Sequence, residues 1–400
     1  MTTTRIVRIV TLAVLCAMAA GCHTYEQKRE QARLRFEKAT AKAKLPLARE
    51  FFESDRIEEA HKTARECLDA DPDDPQANLL MGQIELSLGR LDAADACFLK
   101  AVEIDPKLHQ GWSHLGAVAQ DRKQAASAFE YHLKALDIQP LNAEYILLVA
   151  QGHAAAGRYD QAVALLEEKA RYLPGEVRLK VAAADIRHRL GDLPGAMAAY
   201  RQALGIDADN MEVMESLGYC YITKELWSEA AEMFETLADR STEPRKSTYA
   251  QILALCTMNA GQYGKAVAYY DKLSVGRRED PALWLQMGRA ALGSDAPDRA
   301  LACAQRALTL RPAWEEAITL KGCAQYLNGD YAESVKTFRS IVGNKELGGF
   351  AWLMMGRSYQ QLGDANQAQK AYETAAKLNP DSKLVALLRA GEKAQVEPAR

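Results

Sequence analysis

An all-α solenoid of ten helix-turn-helix repeats is the fold predicted by two features of this 400-residue sequence. The first is a spacing. Pro72, Pro106, Pro140 and Pro174 lie 34 residues apart, and Pro312 and Pro380 fall two such periods apart further on. Proline cannot continue a helix, so evenly spaced prolines mark evenly spaced helix boundaries. The second is a pair of columns. With repeats starting at 41, 75, 109, 143, 177, 211, 247, 281, 315 and 349, slot 8 reads Ala48, Gly82, Gly116, Ala150, Ala184, Gly218, Ala254, Gly288, Gly322 and Gly356. Slot 20 reads Ala60, Ala94, Ala128, Ala162, Ala196, Ala230, Ala266, Ala300, Ser334 and Ala368, often with a large residue four slots later. Small residues at two fixed places let two antiparallel helices approach, and bulky ones at slots 4, 7, 11 and 24 fill the space between them.

Along residues 41–382 the sequence resembles the tetratricopeptide repeat family, as ten repeats and one two-residue insertion. The last repeat carries the fullest signature: Trp352, Met355-Gly356, Tyr359, Ala368, Tyr372 and Pro380. Trp112-x-x-Leu115-Gly116, and Leu217-Gly218-x-x-Tyr221 with Ala230 and Phe234, repeat it. The resemblance implies a right-handed superhelix in which each hairpin needs neighbours to bury its apolar surface.

Residues 1–21 stand apart and read as a secretory signal peptide. Arg5 and Arg8 form a positive start, Ile9 to Ala20 an apolar run, and Ala19-Ala20-Gly21 a small-residue cleavage site before Cys22. The run is too short to span a bilayer as a mature helix. It resembles the lipobox of bacterial lipoproteins, although that family usually has leucine where Ala19 stands. The resemblance implies acylation of Cys22, stable membrane anchoring by two or more chains, and, with His23 in place of aspartate, the outer membrane facing the periplasm. A secreted protein in which Cys22 is incidental is the alternative.

Residues 22–40 are a polar tether with a helical pattern, and Pro46 then predicts a short first helix A beginning near Leu45. From 75 to 240 the register is uninterrupted. Gly89, Gly157, Gly191 and Gly261 occupy slot 15, the turn between helices A and B, where a positive φ is cheap for glycine. Ser241 to Lys246 holds the insertion. Ser274 to Asp280 and Gly343 to Gly349 lack the usual proline and read as ordinary loops or hinges. Residues 383–391, with Leu384, Leu387 and Leu388 on one face, predict a capping helix, and 392–400 a mobile tail.

Charge excludes one class of function. Without Arg5 and Arg8, 48 basic residues face 53 acidic ones, a net of −5, which is no nucleic-acid footprint. No nucleophile elbow, phosphate loop, dinucleotide fingerprint or His-Glu-x-x-His motif occurs, so no catalytic residue, cofactor or metal is expected. His109 and His114, five apart, fall off one helical face. Cys67, Cys97, Cys220, Cys256, Cys303 and Cys323 form no Cys-x-x-Cys, and small buried thiols suit the helix seams, with a Cys303–Cys323 bond left open.

By resemblance, helix A of each repeat lines the groove through slots 2, 5, 9, 12 and 13. Slot 5 carries no lysine, so a clamp for a terminal carboxylate is not expected. The last three repeats offer Leu285, Arg289, Leu292, Tyr326, Leu353 and Arg357 as a partner-binding set, because arginine and tyrosine among aliphatics mark interface hot spots. The expected function is a non-catalytic scaffold for protein or peptide partners, anchored through Cys22 and supporting assembly or secretion in a bacterial envelope. The alternatives are a targeting subunit for a separate enzyme, such as a glycosyltransferase or cell-wall enzyme, and a soluble periplasmic ligand-binding protein.

Overall fold

The computed structural model describes residues 3–379, with side chains from Lys28 onward. Twenty α-helices and no strand occur among the described residues. The expected capping helix at 383–391 and the tail at 392–400 lie outside the described residues, as do the side chains of the signal segment and of Cys22. The described residues form an all-α array of helical hairpins, divided into two units at Asp192 and Leu193.

The first unit holds α1 (Thr3–Glu53), α2 (Ile57–Ala70), α3 (Pro75–Ser87), α4 (Leu91–Ile104), α5 (His109–Asp121), α6 (Ala125–Ile138), α7 (Ala143–Ala155), α8 (Tyr159–Ala170) and α9 (Val177–Arg189). The second holds α10 (Leu193–Leu204), α11 (Met211–Thr223), α12 (Trp227–Arg240), α13 (Arg245–Asn259), α14 (Tyr263–Ser274) and α15 (Pro281–Gly293). It continues with α16 (Pro297–Leu310), α17 (Glu315–Leu327), α18 (Tyr331–Arg339), α19 (Gly348–Gln361) and α20 (Ala365–Leu378). Every helix B, from α2 to α20, begins at slot 17 of the register read from the sequence. The insertion is absorbed at α13, which starts two residues before its slot 1.

The two small-residue columns sit where packing requires them. All ten residues of slot 20 are buried, and so are all ten of slot 8. The slot-8 glycines lie under the slot-24 ring of their own repeat. A Cβ added at Gly322 would stand 2.7 Å from Phe338 Cε2, and one at Gly356 would stand 2.5 Å from Tyr372 Cε1. Phe98, Phe234 and Phe338 are each 0% exposed, and burying such a ring contributes about 1.5–3 kcal/mol. Repeat 8 inverts the arrangement: slot 24 is Ala304, and Leu320 of the next repeat fills the space beside Gly288, 2.5 Å from an added Cβ.

Slot 15 has a left-handed backbone in all ten repeats. Gly89, Gly157, Gly191, Gly261, Gly329 and Gly363 take φ between 72° and 86°. Asp55, Lys123, Glu225 and Asp295 are held at φ 56–59° in the same slot without glycine's freedom. The turn geometry is therefore imposed by the hairpin, and glycine is its easiest occupant.

Two expectations need comment. The first helix A does not begin near Leu45: the tether and that helix are one continuous α1 running through Pro46. Proline in a helix interior costs the hydrogen bond to the carbonyl four residues back, here that of Lys42. Packing on both sides of Pro46 keeps the helix continuous through it. Ala41 and Ala48 are buried with Ala60, Ala64 and Cys67 of α2, and the Cys67 thiol donates to the Ala41 carbonyl at 3.3 Å. Lys38–Asp71 and Lys44–Glu66 ion pairs, 2.7 and 2.8 Å, fix the exposed edge. The two loops without proline are ordered by side-chain caps. Asp280 accepts from the amides of Ala282 and Leu283, and Asn344 from those of Glu346 and Leu347.

Candidate functional site

The sequence-predicted set in the last three repeats divides into floor and surface. Leu285 is 3% exposed, inside the core that joins α15 to Leu320 of α17. Leu353 is 7% exposed and packs with Ala368, Tyr372 and Ala375. These two leucines are structural, which corrects their reading as contact residues: slot 5 of α15 and α19 faces the neighbouring helices. Leu292 is half-buried against the same core as Leu285. Arg289 is exposed and forms no ion pair among the described residues.

Tyr326 and Arg357 meet. The Arg357 guanidinium lies 5.3 Å from the centre of the Tyr326 ring, joining α19 to α17, and the ring packs edge-on against Tyr331 at 5.5 Å. Slot 12 of one repeat therefore supports slot 9 of the next. Nearby, Tyr372 donates to Gln360 Oε1 at 2.7 Å, and Arg339 Nη2 donates to Tyr359 Oη at 2.7 Å. Burial pushes the Tyr372 hydroxyl up to about 12, with Arg357 pulling it down and Tyr326 raising it. Burial likewise pushes the Cys323 thiol to about 12 against the pull of Arg357. The cluster holds a cation over an aromatic face.

The second unit also holds a cavity that the predicted set does not include. It occupies about 310 Å³ between α13 and α15, lined by Gln251, Leu255, Asp280, Leu283 and Gln286. Leu255 is 39% exposed there, and the buried Gln286 Oε1 has no hydrogen-bond donor. Arg277 closes one edge, donating to Gln251 Oε1 at 2.6 Å and to Ser247 Oγ at 3.2 Å. Gln251 and Leu255 hold slots 5 and 9, the same slots as Leu285 and Arg289. The insertion read from the sequence lies just before α13, which runs to 15 residues.

Chemistry elsewhere is spare. Among the described residues no three His, Cys, Asp or Glu side chains converge as a metal site, and no helix is long and apolar enough to cross a membrane. Cys303 and Cys323 are free thiols, as are Cys67, Cys97 and Cys256.

Comparison with known proteins agrees with the repeat reading. Profiles described as tetratricopeptide repeat match residues 45–109, 147–210 and 285–348, residues 181–312, and residues 351–382. Cellulose synthase operon protein C of Xanthomonas axonopodis pv. citri is 27% identical over 338 residues, covering 76% of this chain and 22% of that protein. BBSome complex member BBS4 of Bos taurus is 26% identical over 200 residues, covering 49% of this chain and 38% of its own length. The chain thus spans well under half the length of these curated relatives. Among solved structures, pilF of Pseudomonas aeruginosa covers 52% of this chain and 96% of its own at a TM-score of 0.44 and 16% identity. YrrB, described as a TPR protein with an unusual peptide-binding site, covers 47% of this chain and 96% of its own at a TM-score of 0.39 and 16% identity. With its paired columns of small residues and these profile matches, the chain belongs to the tetratricopeptide repeat family.

Proposed function

We propose that this protein is a non-catalytic scaffold that holds partner proteins or peptides, anchored by lipid on Cys22 to a bacterial envelope membrane and supporting assembly or secretion there. The observation that carries the reading is the Tyr326–Arg357 pair, a rigid aromatic-cation surface at the A-helix slots that tetratricopeptide repeats use for partners. Arginine and tyrosine held by neighbouring packing lose little freedom on binding, which is what makes such residues hot spots. The envelope assignment rests on Arg5, Arg8, the apolar run and Ala19-Ala20-Gly21 before Cys22, and His23 in place of aspartate favours the outer membrane facing the periplasm. A second reading, a targeting subunit for a separate enzyme, is favoured by the match along 76% of this chain to a protein named for a cellulose synthase operon.

The test is co-purification after gentle detergent extraction, comparing the parent with the triple variant R289A, Y326A and R357A. Truncation of such hot spots costs about 2 kcal/mol or more, roughly thirtyfold in affinity, so the partner should be lost while the melting curve is kept. The control changes the exposed helix-B residues Glu232, Lys265 and Gln305 to alanine and should retain the partner. Loss in the control with retention in the triple variant would overturn the site and leave the scaffold reading standing. Mass spectrometry of the mature N-terminus should show an acylated Cys22, and C22S should release the chain from membranes. A mature, unacylated start elsewhere would remove the anchor from the proposal.

A further inference from the structure

A second cleft lies in the first unit, between α6 and α7, and occupies about 1000 Å³. Its existence follows from local departures from the repeat pattern. Helix B usually opens at slot 17 with a large residue: Leu91, Tyr159, Trp227, Tyr263 and Tyr331. In α6 that position is Ala125, followed by Ala126. The facing helix ends at Ala155 with Ala156 as its cap, and slot 10, which is Ile84, Val118 and Ile186 in the repeats nearest in sequence, is Gly152. The Phe129 ring has moved into the space of that missing side chain: a Cβ at Gly152 would stand 2.5 Å from Phe129 Cδ2. What remains is an alanine-walled cleft with Phe129, Leu133 and Leu148 as its apolar lining. Its volume falls at the upper end of the roughly 300–1,000 Å³ usual for ligand sites.

The rim is cationic. Lys123 sits at the slot-15 turn with φ 59°, whereas the other non-glycine occupants of that slot are the acids Asp55, Glu225 and Asp295. The hairpin imposes this left-handed turn, and its lysine places an ammonium at the mouth of the cleft. Arg158 stands opposite with its guanidinium 4.8 Å over the Phe129 ring. At the same slot, Arg56 and Arg90 are neutralised by Glu59 and Glu85. Among the described residues neither Lys123 nor Arg158 is ion-paired, and Glu130 is the single carboxylate among those lining the cleft. The wall also includes His132, which is 1% exposed and has no hydrogen-bond partner at either ring nitrogen.

We infer that this cleft is a docking site for a peptide segment in which an aliphatic or aromatic side chain is flanked by acidic residues. The apolar side chain enters between the alanine walls onto Phe129, Leu133 and Leu148, and the flanking carboxylates pair with Lys123 and Arg158. Charge complementarity selects the acidic peptide, since two unpaired cations face one carboxylate. The site is separate from the Tyr326–Arg357 surface and gives the scaffold a second, chemically different point of attachment.

The test uses the full chain and capped, fluorescein-labelled dodecapeptides carrying one leucine flanked by glutamates, by lysines or by glutamines. Anisotropy should show the glutamate-flanked peptide binding at least tenfold more tightly than the lysine-flanked one, and exchange of its leucine for serine should abolish binding. Filling the cleft with A125L and A155L should weaken binding at least tenfold. The surface variant K123E with R158E should reverse the preference towards the lysine-flanked peptide, and it serves where the filled variant folds poorly. Equal binding by parent and variants, no binding by any capped peptide, or binding that requires a free C-terminal carboxylate would each overturn the proposal.

Discussion

Gly82 lies beneath the ring of Phe98 so closely that a Cβ at residue 82 would stand 2.5 Å from Phe98 Cε1. The ring cannot retreat, because it is 0% exposed and stacks on His114 at 5.0 Å on another side. Slots 8 and 24 are one fitted pair, and this contact sets how near α3 and α4 come. G82A is expected to destabilise by about 1–3 kcal/mol through overpacking. The contrast is G264A, where nothing lies within 4 Å of the added methyl and the effect should be neutral or stabilising. Denaturant melts of the two variants check the pair; equal midpoints would show that the seam has slack.

The left-handed slot-15 turns predict opposite effects from opposite exchanges. Glu225 adopts φ 57° and Gly261 φ 75° in equivalent turns. E225G should stabilise by about 0.5–1 kcal/mol by relieving strain, and G261A should cost about 1–2 kcal/mol. Thermal melts suffice, and a loss of stability in E225G would mean that the carboxylate does something in the turn beyond occupying it.

Acid should weaken the first unit selectively. All seven histidines of the chain precede residue 193. Burial lowers His109, His114 and His132, with Glu144 partly opposing the shift at His114; burial and Arg158 lower His153. Gln83 Nε2 donates to His114 Nε2 at 2.9 Å, a bond that only a neutral ring accepts. These folded values lie below the ordinary histidine value of about 6.5, so unfolding takes up protons once pH falls beneath it. The stability is therefore present above about pH 6.5 and is lost as pH falls through the folded values. Hydrogen exchange at pH 7.5 and 5.0, corrected for intrinsic rates, should show protection lost in α5 to α7 and kept in α11 to α17. H132F, which restores the ring found at slot 24 elsewhere, should reduce that loss.

The buried thiols should be silent to reagents. Burial pushes Cys256 and Cys303 to about 11 and Cys323 to about 12, so almost no thiolate exists at pH 8. Labelling of these three should be at least a hundredfold slower in the native chain than in denaturant. Rapid native labelling of Cys323 would show that the α17–α19 seam opens readily.

The repeat register was legible in the sequence because each of its determinants is local. Slots 8, 20 and 24 meet inside a single hairpin, so proline spacing and two columns of small residues carried the register, and all ten helix-B starts fall at one slot of it. The slot-15 turn was legible at Gly89 for the same reason, although not at Lys123, where the hairpin overrides the residue's own preference. What the tertiary structure decided lies between repeats. Pro46 reads as a helix start, yet contacts of Ala41 and Ala48 with α2 carry one helix through it. Leu285 and Leu353 read as surface at slot 5, yet they are buried by residues of neighbouring helices. The pairing of Tyr326 with Arg357 and the clefts beside Gln286 and Phe129 depend equally on which side chain of one hairpin fills, or fails to fill, the space left by the next. A 34-residue period records what a hairpin needs from itself; volume and charge matched between neighbouring helices exist only once the stack is built.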